Sequence, residues 1–203
     1  MIKGWFQAVS LAAALFAAGT VAEAQSADPA VQPVQAFYDA LLSSMKQGKQ
    51  LGMKGRYEKL KPVIEQSFDL PGMTRLSVGP AWNTMSAADQ EALTKALSRY
   101  TIASYAANFN SFDGEKFVVE PTPKDRNADK MVLSKLIAGK DVVPFNYLMR
   151  KNGASWKIID IYLNGFVDQI LKQRSDFSAT LKTGGAAGLE KKITAMADTL
   201  LKE

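Results

Sequence analysis

The sequence predicts an α+β fold, a four-stranded antiparallel sheet packed with N- and C-terminal helices around either a large core or a cavity. Three observations carry this reading. Apolar residues recur at helical spacing through the first half of the chain, up to Phe112. Between Lys116 and Leu163 the period changes to two, in four short runs joined by short polar turns. Beyond Gly165 the helical spacing returns and holds to the end.

The elements follow in order. Val31, Val34, Phe37, Tyr38, Leu41, Leu42 and Met45 give a first helix over about Pro29 to Lys46. A Gly-Lys-rich break runs to Gly55. A second helix then carries Tyr57, Leu60, Val63, Ile64 and Phe68 inward, and Pro62 is expected to end or kink one turn. Asp69 to Gly79 reads as a short helix, with Trp82 just beyond it. Ser86-Ala-Ala-Asp89 is a capping box opening the longest helix, about Ala87 to Phe112. Its apolar positions spread around the circumference, as on a helix with more than one packing partner.

Lys116 to Thr122, Lys130 to Ala138, Val142 to Arg150 and Trp156 to Leu163 are the four strand-like runs. Asn152-Gly153 is a hairpin signal, and Pro144 marks an exposed edge or a bulge. Trp156 to Leu163 reads as the central strand, with Ile158 and Asp160 on one face and Ile159 and Ile161 on the other. It turns at Asn164-Gly165 into a helix whose stripe is Phe166, Ile170, Phe177 and Leu181. That helix stops at Gly184-Gly185, and a last one spans about Leu189 to Leu200.

Composition closes several routes. The chain of 203 residues has no His and no Cys. That excludes a Ser-His-Asp triad, an HExxH zinc site, thiol chemistry and disulfides. No metal site, cofactor site or catalytic constellation is expected. The net charge of +5 fits a solvated surface or an attraction to anionic lipid better than a nucleic-acid footprint. Residues 1–24 read as a secretory signal: Lys3, a short apolar run from Ala8 to Ala18, then the cleavage pattern Ala22-Glu23-Ala24. The competing reading is an uncleaved anchor. Residues 25–203 then form a single exported domain.

Two motifs are decoys. Ser43-Ser-Met-Lys46 and Lys182-Thr183-Gly184 match two of the three penicillin-recognising motifs, but the third, S-D-N, is missing. Gly184-Gly185-x-x-Gly188 has neither the preceding strand nor the Gly-Lys-Ser/Thr of a phosphate loop, and reads as a helix C-cap. Asp160 is a carboxylate on an apolar strand and needs a partner or a raised pKa. Arg174, bordering the stripe of the next helix, is the expected partner in a structural ion pair; a headgroup contact is the other reading.

Trp156-Lys157-x-x-Asp160, Gly165, Gln173-Arg-Ser-Asp-Phe177 and Gly184-Gly185-x-x-Gly188-Leu189 resemble the C-terminal signature of the MlaC family of periplasmic phospholipid-shuttle proteins. Phe68-Asp-Leu-Pro71 through Gly79-Pro-Ala-Trp82 is similar to the family's FD…LG…W element. Leu163-Asn-Gly165 and Gln173-Arg-Ser-Asp-Phe177 lie closest to its hopanoid-associated HpnM branch. Phe166-Val167 departs from the usual Val-Ser after the glycine.

The resemblance implies a cystatin/NTF2-like twisted sheet packed with the helices around an apolar pocket, and a carrier, not an enzyme, that takes acyl chains of a phospholipid or hopanoid-type lipid there. It implies docking on an inner-membrane MCE-type ABC transporter and on an outer-membrane lipoprotein complex, and no nucleic acid. Under it, Trp82, Tyr100, Tyr105, Phe145, Tyr147, Met149, Ile159, Ile161, Phe166 and Ile170 are the expected pocket wall. On spacing alone most of the aromatics among them are core. The alternatives are a non-transporting adaptor of hopanoid or envelope assembly, and a serine acyl-enzyme using Ser43 and Lys46.

Overall fold

The computed structural model describes residues 27–202; the expected signal and its cleavage site lie outside them. Helix α1 spans Gln32–Lys46 and buries Val34, Phe37, Tyr38, Leu41 and Met45, as its spacing requires. Helix α2 spans Gly48–Ser67, with non-helical backbone at Gly52. The Gly-Lys-rich break therefore falls at Gln47 and Gly52 and holds one helical turn between them. Pro62 does not end α2, which continues to Ser67.

Asp69 caps α3 (Leu70–Val78) through the amide of Gly72. A 3-10 turn, Gly79–Thr84, carries Trp82. Ser86 accepts from the Asp89 amide and opens α4 (Ala87–Asn108) as the capping box predicts. Helix α4 stops one turn short of the expected Phe112. It packs against α2, α3 and α5, which accounts for its broad apolar circumference.

The sheet has seven strands: β1 Lys116–Val119, β2 Lys124–Arg126, β3 Asp129–Val132, β4 Ser134–Ala138, β5 Asp141–Asn152, β6 Ser155–Leu163 and β7 Val167–Asp168. All strand pairs are antiparallel. The expected second strand breaks at Leu133 into β3 and β4. Both pair with β5, at its two ends. The hub is therefore β5, not β6 as expected. Strand β6 pairs with β5 on one side and only with two-residue β7 and a single bridge to Phe68 on the other. Pro144 pairs with Lys135 of β4 just before β6 joins at Phe145, so β5 is unpaired on one side there, where a missing N–H is tolerated.

Strand β6 does not alternate as its sequence suggests. Leu148 opposes Asp160 but Met149 opposes Ile158, so Ile159 is the extra residue of a β-bulge. The bulge brings Ile158 and Ile161 onto one face. Both pack into the main core with Tyr147 and Met149.

Asn164 and Gly165 both have positive φ (53° and 81°), and the Phe166 amide bonds back to the Leu163 carbonyl. This tight turn returns the chain as β7 before α5 (Gln169–Leu201) begins. Gly185, at φ 60° and ψ −158°, divides α5 into two helices near the expected stop.

Apolar side chains form two clusters. The larger joins α1, α2 and α3 to the sheet and to part of α4. The smaller joins Val78, Leu93, Leu97, Phe177, Leu189 and Ile193.

Candidate functional site

A cavity of about 440 Å³ opens where these two clusters meet. Tyr100 belongs to the smaller cluster; Met73, Tyr105, Phe109, Phe145, Ile161, Leu163 and Ile170 belong to the larger. The sheet wall comes from adjacent strands in register, since Phe145 opposes Leu163 and Tyr147 opposes Ile161. The helical wall comes from α4 and the first turns of α5.

Five residues complete the lining: Thr101, Ser104 and Asn108 on α4, Gln169 and Gln173 on α5. All are polar and uncharged. Gln173 takes the Ser77 hydroxyl (2.8 Å) and Gln169 donates to the Val167 carbonyl (3.0 Å). No side chain of this lining carries a charge at neutral pH. A second recess of about 300 Å³ adjoins the first, sharing Tyr100, Gln169 and Gln173; Lys172, Asp176 and Lys192 lie along it.

Of the ten expected wall residues, the structure brings five together here: Tyr100, Tyr105, Phe145, Ile161 and Ile170. Tyr147 and Met149 are core instead, at 1 % and 0 % exposure. Tyr147 lies among the rings of Phe37 and Tyr38, and burial pushes its phenol well up. Ile159 is buried at the bulge and outside the cavity lining. Trp82 packs against the smaller cluster, and its carbonyl accepts from Gln90 (2.9 Å). Phe166 is 79 % exposed, because the tight turn carries it outward rather than to the mouth.

The sequence reading missed Met73, Phe109, Leu163 and the polar five. Thr101, Ser104 and Asn108 lie at i, i+3 and i+7 on α4, but Gln90, Thr94 and Ser98 make a second uncharged polar row on the same helix, so spacing alone does not single out the cavity face.

The expected ion pair does not form. Arg174 donates through Nε (2.9 Å) and Nη2 (2.6 Å) to the Leu76 carbonyl in the last turn of α3. A helix C-terminus offers unpaired carbonyls, and a guanidinium suits them.

Asp160 is instead held by amides. Its Oδ1 accepts from Ile161 (2.7 Å) and from Ile170 (3.2 Å) in the first turn of α5. Asp168, the N-cap of α5, accepts from Leu171 (2.6 Å). Burial foremost, with the neighbouring Asp168 carboxyl second, pushes the Asp160 carboxyl up to about 7.

The acyl-enzyme motifs are also taken apart. Ser43 lies in the C-terminal part of α1, and its carbonyl accepts from Lys59. The Lys46 ammonium sits 5.3 Å from the Phe112 ring centre. Lys182-Thr183-Gly184 is helical, not on a strand. Among the described residues no group of three or more acidic residues is placed to hold a metal, and no helix is long and apolar enough to cross a membrane.

The fold has a solved counterpart. It matches the phospholipid-binding protein from Ralstonia solanacearum, determined in complex with a phospholipid, at TM-score 0.75 and 18% identity over 85% of this chain and 99% of that one. No curated protein sequence matches the chain. The sequence model of the MlaC protein family matches residues 35–197, most of the domain including every residue of the cavity lining, and the chain belongs to that family.

Proposed function

We propose that this protein is a lipid carrier of the periplasm that holds acyl chains in the cavity between sheet and helices. The carrying observation is the lining itself: an apolar wall, an uncharged polar border, and no charged side chain where a tail must lie. A methylene is about the size of a water molecule, roughly 30 Å³. The cavity of about 440 Å³ therefore has room for roughly one acyl chain, and the adjoining recess extends it toward Lys172 and Lys192. The phospholipid in the Ralstonia solanacearum counterpart supports a phospholipid as cargo; a hopanoid-type lipid is an apolar ligand of the same kind.

In this reading the chain catalyses nothing. It takes a lipid from one membrane complex and yields it to another, an inner-membrane MCE-type ABC transporter and an outer-membrane lipoprotein complex. The bound lipid is ligand rather than cofactor.

The test is mass spectrometry of organic extracts from the protein purified from its own host, beside Leu163→Glu. Leu163 is half-buried at the cavity wall, so a carboxylate there hydrates in the empty cavity but not beside a tail. The expected result is stoichiometric lipid on the parent and a folded, lipid-free variant. A parent that carries no lipid overturns the reading and favours the non-transporting adaptor.

A further inference from the structure

We propose that the outer face of β1, β4 and β5, with Phe166 at its edge, docks on an anionic lipid surface. The purpose of this docking rests on the lipid-carrier reading, but its evidence is separate. Of the five exposed large apolar side chains among the described residues, three gather at this end of the sheet: Val118 at 39 %, Val142 at 56 % and Phe166 at 79 %. The strand registers set Val118, Lys135 and Pro144 in one rung and Lys116, Ile137 and Val142 in the next. Their strand neighbours Phe117 and Phe145 pack inward on the core, so these two rungs face outward. Between them lies a recess of about 400 Å³, reached also by Lys124, Glu120 and Gly165.

An exposed apolar patch on a monomer marks an interaction surface. Charge chooses the occupant here. Lys124 and Lys135 stand against the carboxylate of Glu120 in the recess, and Lys116 lies on the adjoining rung; exposed Asp141 neighbours Val142 at the hairpin end. Apolar side chains set among lysines match a bilayer with anionic headgroups: the cations meet the phosphates while the aliphatic and aromatic groups enter the interface. The position fits as well. Phe145 and Leu163 line the lipid cavity, and their chain neighbours Pro144 and Asn164-Gly165 form this outer edge. A docked outer face is thus the reverse side of the strand that carries Phe145 into the cavity wall.

The experiment is co-sedimentation of the full exported chain with vesicles of phosphatidylglycerol and phosphatidylcholine, against vesicles of phosphatidylcholine alone. Binding is expected to the anionic vesicles and to fall with salt. Val142→Asp with Phe166→Asp is expected to weaken it tenfold or more, and both side chains are exposed, so the fold is kept. Lys124→Glu and Lys135→Glu are each expected to weaken it by about fivefold or more, from the contribution of one cation near an anionic surface. Phe166→Trp is expected to shift its emission to the blue on anionic vesicles only. Equal binding to both vesicle types, no binding, or unchanged binding in the variants overturns the proposal. The lipid content of each purified protein separates the two ideas. A lipid-loaded chain that ignores vesicles refutes the docking face alone, and a lipid-free parent refutes the carrier reading.

Discussion

Asp160→Asn should make the protein more stable above neutral pH, and the structure gives the size of the effect. Asp160 is 5 % exposed, and its carboxyl is pushed up to about 7, first by burial and then by Asp168. In the unfolded chain it titrates near 4. The folded chain therefore keeps a proton that the unfolded chain has released throughout the window from about pH 4 to about pH 7. Stability from this group is complete below about pH 4 and is lost as pH rises through about 7, at about 1.4 kcal/mol per pH unit. The loss reaches about 4 kcal/mol at pH 8.

Asparagine removes the charge but keeps the acceptor oxygen for the Ile161 and Ile170 amides, and its NH2 faces Asp168 as a donor. The variant should then melt about 10 °C above the parent at pH 8, at about 2–4 °C per kcal/mol, with the gap closing toward pH 4. Urea unfolding of both proteins from pH 4 to pH 8 isolates this one group, since other titrations cancel in the difference. A variant less stable than the parent at pH 8, or one with the parent's pH slope, refutes the reasoning.

Two further predictions are independent of lipid. Arg174→Ala should cost about 1.5–3 kcal/mol, for charged hydrogen bonds to the Leu76 carbonyl, and should add to Asp160→Asn without coupling in a double-mutant denaturation cycle. Tyr38→Phe should cost about 1 kcal/mol by the same measurement, because the Tyr38 hydroxyl meets Ser134 at 2.7 Å while Ser134 keeps its bond to the Phe145 carbonyl.

What was legible in the sequence were features written in local chemistry. Ser86 with Asp89, the apolar rows of α1 and α4, the turn at Asn164-Gly165 and the glycine break in α5 depend on neighbours along the chain. What was illegible depended on register. Nothing in the run Ile158-Ile159-Asp160-Ile161 says which residue is extruded, because each alternative leaves an apolar strand. That one bulge decides that Ile161 rather than Ile159 reaches the cavity. The break of one expected strand at Leu133 is of the same kind, set by how β3 and β4 divide the length of β5. Phe166 misled because its place in a helical stripe assumed that α5 begins at once. Strand β7 intervenes, and the side chain turns to solvent.

The sheet residues of the cavity wall, Phe145, Ile161 and Leu163, lie beside the bulge, the β6–β7 turn and the stretch of β5 that β6 leaves unpaired. The helices around the cavity are tied by hydrogen bonds. Arg174 ties α5 to the end of α3, Asp160 ties its first turn to β6, and Arg56 ties α2 to α4 through the Ala106 carbonyl. Filling the gap with roughly 15 methylenes gains on the order of 12 kcal/mol against water. A membrane offers the same tail nearly the same gain, so on the carrier reading loading and release are close to balanced. Such an exchange asks for a cavity that stays open and an edge that meets a membrane, and for no reacting group, which is consistent with a chain that has neither His nor Cys.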